Sequence, residues 1–92
     1  MECRKLKSIP YGQTQVRESW ENGVFVRVLQ SYNTDVIIVR GDWFECTGLY
    51  SMTTRKHISA FMREYYPQWG FLLAKEWAGT GKKINLVTGE IR

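Results

Sequence analysis

The sequence predicts an α+β fold, in which an antiparallel sheet of three to five strands is covered on one face by an amphipathic helix at about residues 54–66. Segments rich in β-branched and aromatic residues alternate with short turns, and a later segment repeats its apolar residues at helical spacing. Of the 92 residues, 43% are hydrophobic and 24% are charged. This composition excludes a disordered chain, and the length suits a single domain over residues 1–92.

The first half of the chain is predicted to form a β-meander over residues 23–48. Residues 1–22 have few periodic apolar positions, so we expect an irregular arm or a short edge strand there. Gly41 and Asp42 suit a tight hairpin turn, because glycine adopts positive φ angles freely. The three strands of the meander are expected at residues 23–30, 35–40 and 43–47.

The second half is predicted to contain the main helix and one further strand. The helical spacing is carried by Ile58, Phe61, Met62 and Tyr65. Thr53 or Thr54 is expected to cap the start of the helix, and Pro67 is expected to end it, because the residue before proline avoids the α region. Residues 69–92 should hold an aromatic segment, which fits either a short helix or a strand, and then a last strand near 84–88.

Charge and cysteine content indicate a cytoplasmic protein. Thirteen Lys and Arg against nine Asp and Glu give a formal charge of +4, which favours acidic partners. The apolar runs are far shorter than the roughly 20 residues that cross a bilayer, so no membrane contact is expected. No apolar signal segment follows the basic N-terminus. Cys3 and Cys46 belong to no C-x-x-C pair and are expected to be free thiols, with a bridge between them as the alternative.

Catalytic motifs are scarce, so we expect no enzymatic activity, no cofactor and no metal. His57 is the single histidine, and no H-E-x-x-H motif is present. The alternative is a small enzyme in which His57 activates Ser51 or Cys46. The Gly-Thr-Gly-Lys-Lys segment at 79–83 departs from a phosphate-binding loop at two positions, and a basic turn is the better interpretation.

The start of the predicted helix is a candidate site for an anion or an acidic partner. Acidic residues usually occupy the first turn, because the helix N-terminus is effectively positive. Here the sequence places Thr53, Thr54, Arg55, Lys56 and His57. Cations, hydroxyls and backbone N–H groups at one place favour anion binding. Two alternatives remain: the charges are simply solvated, or the threonines and His57 form a structural hydrogen-bond cluster with the turn at residues 31–34.

Aromatic residues indicate a second candidate site. Thirteen are present, four of them tryptophan, which exceeds what a small core needs. Tyr66, Trp69, Phe71 and Trp77 are concentrated around the helix end and are expected to form a protein interface, because such side chains bury large areas with few rotatable bonds. Core packing and base stacking are the alternatives. An exposed patch here would also favour a homodimer.

Two segments carry a resemblance to a known group of proteins. Residues 31–36 read S-Y-N-T-D-V and residues 50–58 read Y-S-M-T-T-R-K-H-I, with Gly41 between them and Phe61 and Glu64 after them. The pattern resembles that of small uncharacterised proteins of tailed bacteriophages. The resemblance implies a viral accessory protein made inside an infected bacterium, and it implies no activity.

From these observations we expect a non-enzymatic phage accessory protein in the host bacterial cytoplasm that binds and modulates a bacterial protein, for example a defence or transcription component. The alternative is a nucleic-acid-binding protein. Its contacts would be the basic clusters Arg4, Lys5 and Lys7, Arg55 and Lys56, and Lys82 and Lys83.

Overall fold

The computed structural model describes residues 2–10 and 12–92. These residues form one antiparallel sheet of six strands and two α-helices, so the predicted α+β class is confirmed, with more strands than expected. The strands follow one another in the sheet in chain order. They are β1 (Glu2–Arg4), β2 (Thr14–Glu21), β3 (Val24–Ser31), β4 (Thr34–Arg40), β5 (Trp43–Cys46) and β6 (Ile84–Asn85).

Residues 1–22 were expected to form an irregular arm or a short edge strand. β1 is a short edge strand, but the segment also contains the eight-residue β2, which was not expected. Thr14, Val16 and Glu18 alternate as buried positions along β2. Two of these three inward positions are polar, so the alternation of apolar residues that normally reveals a strand is missing. Met1 and Tyr11, which fall within the expected arm, lie outside the described residues.

Three successive two-residue turns connect β2 to β5. The pairs that close them are Glu21 with Val24, Ser31 with Thr34, and Arg40 with Trp43. Asn22 and Gly23 have φ angles of 54° and 80°, which is the combination that a type I′ hairpin turn requires. The hairpins are therefore short and the sheet is a continuous meander.

Cross-strand partners lie on the same face of a sheet, so the register defines two faces. On the first, the core face, Leu29, Ile37 and Phe44 are fully buried. The register shifts after Leu29, so that Val36 is an extra residue on β4 and is buried beside Ile37. This β-bulge explains why two consecutive residues of β4 join the core.

Helix α1 (Met52–Tyr65) begins two residues earlier than predicted. Its N-cap is Ser51, whose side chain accepts a hydrogen bond from the Thr54 N–H, so the expectation that Thr53 or Thr54 caps the helix is wrong. Four apolar residues of α1 belong to the same hydrophobic cluster as Leu29 and Ile37. They are Ile58, Ala60, Phe61 and Met62.

The aromatic segment after Pro67 is a helix, α2 (Gly70–Trp77). Leu, Ala, Lys and Glu dominate its centre, and these residues have high helix propensity. Leu73 and Ala74 join the core cluster, and α2 contacts both α1 and β5. The last strand is only the two residues of β6 rather than 84–88, because residues 86–89 form a turn held by the Asn85 side chain.

Candidate functional site

The start of α1 meets the turn between β3 and β4 in a buried polar cluster. Ser31 Oγ lies 3.0 Å from Thr54 Oγ1 and 2.8 Å from His57 Nδ1. Ser51 Oγ in turn donates to Thr54 Oγ1 over 3.2 Å. Each buried hydroxyl therefore has a hydrogen-bond partner, as burial in a protein interior demands. We call Ser31, Ser51, Thr54 and His57 the serine–histidine cluster.

This cluster joins residues 31–36 and 50–58, the two segments that carry the sequence pattern. Tyr32 and Tyr50, next to the two serines, have φ angles of 56° and 54°. Bulky residues rarely adopt the left-handed conformation, which costs on the order of 1–3 kcal/mol at each position. The Tyr32 N–H donates to the Gln13 carbonyl and the Tyr50 hydroxyl lies 2.8 Å from Thr47 Oγ1. These bonds help to hold the two tyrosines in this conformation.

The enzymatic alternative requires His57 to activate Ser51 or Cys46, and the geometry of the cluster does not favour this. Ser51 is exposed, but its Oγ bonds to Thr54 Oγ1, and the hydroxyl that lies at His57 Nδ1 is that of Ser31. The side chain of Ser31 is 2% exposed and that of His57 is 6% exposed. Burial also lowers the pKa of His57, which disfavours the charged imidazolium. Burial raises the pKa of the Cys46 thiol, so the nucleophilic thiolate is disfavoured as well. In the described part of the chain, no three His, Cys, Asp or Glu side chains are grouped as metal ligands.

The residues predicted to contact an anion separate into buried and exposed groups. Thr54 and His57 are buried in the serine–histidine cluster, whereas Thr53, Arg55 and Lys56 are exposed. Because α1 begins at Met52, the expectation that Lys56 and His57 share the first turn is wrong. The Thr54 and Arg55 N–H groups are already bonded to Ser51. The Thr54 and Arg55 N–H groups are therefore not free to bind an anion, whereas the side chains of Arg55 and Lys56 are exposed.

The four aromatic residues that were predicted to form a protein interface differ in their contacts. Trp69, Phe71 and Trp77 are half-buried and pack against the hydrophobic core. They form no fully exposed patch, which was the basis for expecting a homodimer. Tyr66 differs from them, because its hydroxyl accepts a hydrogen bond from Arg27 of β3 over 3.1 Å. This contact connects the end of α1 to the sheet.

Tyr66 lies at one end of a row of four side chains, and the sequence analysis assigned the other three to no site. The Arg27 guanidinium lies 5.8 Å from the Tyr66 ring and 5.3 Å from the Phe25 ring. Phe25 contacts Trp20 edge to face, with ring centroids 5.3 Å apart. Trp20 is 72% exposed, although it lies at the end of a regular strand. We call Trp20, Phe25, Arg27 and Tyr66 the hairpin patch.

Below the hairpin patch, a buried carboxylate fixes the position of Arg27. Glu18 is 7% exposed, and its Oε2 accepts a hydrogen bond from Arg27 Nε over 2.7 Å. Its other oxygen is bound by Arg4 of β1. The Arg27 guanidinium also lies 4.3 Å from the centroid of the Tyr65 ring. Arg27 is therefore held by Glu18, Tyr65 and Tyr66 in the free protein.

A signal for the hairpin patch was present in the sequence. Asn22 and Gly23 are typical of a type I′ hairpin, and a hairpin needs a strand before the turn as well as after it. Given that strand, Trp20 and Phe25 would have been placed as cross-strand partners near the tip. Sequence reasoning missed the pair because it assigned no regular strand to residues 14–21.

Residues 4–70 match the model of a family of unknown function, DUF8033. The match covers more than half of the chain, and the chain therefore belongs to this family. It includes both the serine–histidine cluster and the hairpin patch. No curated protein and no solved structure matches the chain. Among the described residues, no helix has the length and apolarity needed to span a membrane.

Proposed function

We propose that this protein is a non-enzymatic accessory protein of phage origin that binds a bacterial protein through the hairpin patch in the host cytoplasm. The observation that carries the proposal is the exposure of Trp20 beside Phe25, Arg27 and Tyr66. Trp, Tyr and Arg are the residue types that dominate binding energy at protein interfaces. A defence or transcription component of the host is a partner of the expected kind.

The patch is well suited to binding because its backbone and Arg27 are held in place in the free protein. Trp20 and Phe25 lie on neighbouring strands joined by a two-residue turn. Arg27 is fixed by Glu18 and by the Tyr66 hydroxyl. Side chains that are already ordered lose little conformational entropy on binding, so more of the contact energy appears as affinity.

Burial of Ser31, Thr54 and His57 in the serine–histidine cluster supports the non-enzymatic part of the proposal. Its hydroxyls and imidazole bond to one another and connect α1 to the β3–β4 turn. A substrate would have to displace this packing to reach Ser31 or His57. The cluster is better explained as the structural link that fixes α1 on the sheet.

Capture from bacterial lysate, with and without nuclease, tests the proposal. The wild-type chain is compared with Trp20→Ala and with Leu72→Ala, a matched control whose side chain is 73% exposed on α2. The captured protein is identified, purified and titrated against each variant. We expect capture to survive nuclease, and Trp20→Ala to weaken binding about 30-fold, equivalent to roughly 2 kcal/mol. Leu72→Ala should bind as the wild type does.

Three results would contradict the proposal. Loss of capture on nuclease treatment would favour the nucleic-acid-binding alternative. Unchanged binding by Trp20→Ala would exclude the hairpin patch. Equal losses in both variants would show that exposed apolar residues act without specificity. Circular dichroism and urea unfolding of each variant verify that the fold is retained.

A further inference from the structure

The face of the sheet opposite the core carries an open cleft of about 450 Å³. Its lining includes the apolar side chains of Val24, Ile38 and Trp43 and the cationic side chains of Arg40, Lys83 and Arg92. The register explains this grouping, because Trp43 pairs with Arg40 on one side and with Asn85 on the other. The volume lies within the roughly 300–1,000 Å³ typical of small-ligand sites.

Lys83 and Arg92 are placed together by the backbone. The Lys83 N–H donates to the Arg92 carbonyl over 3.0 Å, and the Arg92 N–H donates to the Lys83 carbonyl over 2.8 Å. Residues that exchange both hydrogen bonds lie directly opposite one another, with their side chains on the same face. The side chains of Lys83 and Arg92 therefore lie next to each other in the lining of the cleft.

Trp43 supplies a flat surface next to these cations. The guanidinium carbon of Arg92 lies 3.9 Å from the centroid of the Trp43 ring. A guanidinium is planar, so this contact shows that the indole face accepts a flat group from the cleft side. Purine and pyrimidine bases are flat groups that stack on such rings in a sequence-tolerant way.

Charge and shape together identify the class of ligand. The charged side chains that line the cleft are three cations and one carboxylate, Glu45. Arg40 is engaged by Glu21 over 2.9 Å, whereas no ion pair is found for Lys83 or Arg92 within residues 2–10 and 12–92. A suitable ligand thus combines a flat aromatic group for Trp43, an anionic group for Lys83 and Arg92, and a hydrogen-bond donor for Glu45.

We propose that this cleft binds a mononucleotide. The base lies on Trp43, Arg92 turns from the indole to the phosphate and joins Lys83 there, and Glu45 accepts a hydrogen bond from a ribose hydroxyl. Carboxylates recognise ribose in this way in other nucleotide sites. A compact cleft with two available cations suits one nucleotide, whereas a bound strand requires a positive groove that follows its backbone. The proposal is independent of the hairpin patch.

Calorimetric titration of the full chain with adenosine monophosphate, adenosine, inorganic phosphate and a ten-nucleotide single strand tests the proposal. We expect saturable binding of the mononucleotide with one site per chain. The double variant Lys83→Gln/Arg92→Gln and the single variant Trp43→Leu should each weaken it about tenfold or more. The control Arg63→Gln/Lys75→Gln makes the same charge change at exposed residues of α1 and α2 and should bind normally.

The different ligands separate the contribution of the base from that of the phosphate. Adenosine should be affected more by Trp43→Leu than by loss of the cations, and a urea midpoint measured for each variant verifies folding. The proposal is overturned if none of the four common mononucleotides binds saturably at about 10 mM. It is also overturned if the control double variant loses as much affinity, or if the strand binds and the mononucleotide does not.

Discussion

Replacing Glu18 by glutamine is the sharpest test of how the hairpin patch is held. Glu18 accepts hydrogen bonds from both Arg4 and Arg27 and is 7% exposed. Glutamine keeps the shape of the side chain but has only one oxygen. Its amide NH₂ would therefore face one of the two guanidinium groups, donor against donor.

The expected cost follows from the burial of the three partners. Breaking a fully buried ion pair costs about 3–5 kcal/mol, because a charge is left without compensation. The side chains of Arg27 and Arg4 are 22% and 46% exposed, so water offsets part of this loss. We expect Glu18→Gln to destabilise the fold by about 2–3 kcal/mol. With an m value of about 1.3 kcal/mol per molar, the urea midpoint should fall by about 1.5–2.3 M.

Glu21 on the same strand provides the matched control. It pairs with Arg40 over 2.9 Å, and both side chains are about half exposed. Exposed ion pairs contribute little to stability, so Glu21→Gln should change the urea midpoint far less than Glu18→Gln. Equal midpoint shifts in the two variants would refute the reasoning, since burial would then make no difference. A wild-type midpoint for Glu18→Gln would refute it as well.

Three further changes have defined outcomes. Burial lowers the pKa of His57, so the unfolded chain binds the proton more tightly than the folded chain does. The free energy of unfolding should therefore decrease as the pH falls below about 6.5. Urea unfolding at successive pH values should show a smaller decrease in His57→Gln. Phe61→Ala should cost about 3–5 kcal/mol of stability and Arg63→Ala at most about 0.5, and equal thermal midpoints would contradict the assignment of Phe61 to the core. Changing Arg55 and Lys56 to glutamate should leave the fold stable and should weaken the salt-dependent part of partner binding, whereas an unchanged affinity and salt slope would place this end of α1 outside the interface.

The elements predicted well are those whose residue patterns depend on local chemistry. Residues 24–46 alternate apolar segments with turn residues, and their three strands lie close to the expected positions. The apolar spacing from Ile58 to Tyr65 likewise indicated α1. In both regions most buried positions are apolar, so the periodicity of the sequence reflects burial.

The elements that were missed are those whose buried positions are polar or whose partners are distant. Thr14 and Glu18 of β2 are buried, but each is satisfied by a residue of β3: Thr14 donates to the Gln30 carbonyl, and Glu18 accepts from Arg27. The local sequence does not predict these cross-strand partners, because they depend on strand register. The helical state of residues 70–77 was left open because the apolar residues at 71–74 form a continuous run, which periodicity alone cannot assign to a helix or a strand.

The candidate sites could likewise be predicted from the sequence only in part. The hypothesis of a hydrogen-bond cluster between the helix start and the β3–β4 turn could be formed from residue types alone, because hydroxyls and an imidazole recur in both segments. That Ser51 caps α1 and completes the cluster depends on the backbone at Tyr50, whose positive φ angle the sequence did not indicate. The Lys83–Arg92 pair depends on a backbone bridge that closes only when the chain turns back after β6.

The two proposed binding surfaces lie on opposite faces of one sheet and can be disabled separately. Trp20 pairs with Phe25 on the face that continues the core, whereas Arg40 and Trp43 lie on the opposite face. Trp20→Ala therefore leaves the residues of the cleft in place, and the Lys83/Arg92 double variant leaves the hairpin patch intact. If the protein partner and the nucleotide bind independently, each variant should lose one ligand and keep the other. A loss of both ligands in either variant would instead indicate that the two faces respond to each other through the shared sheet.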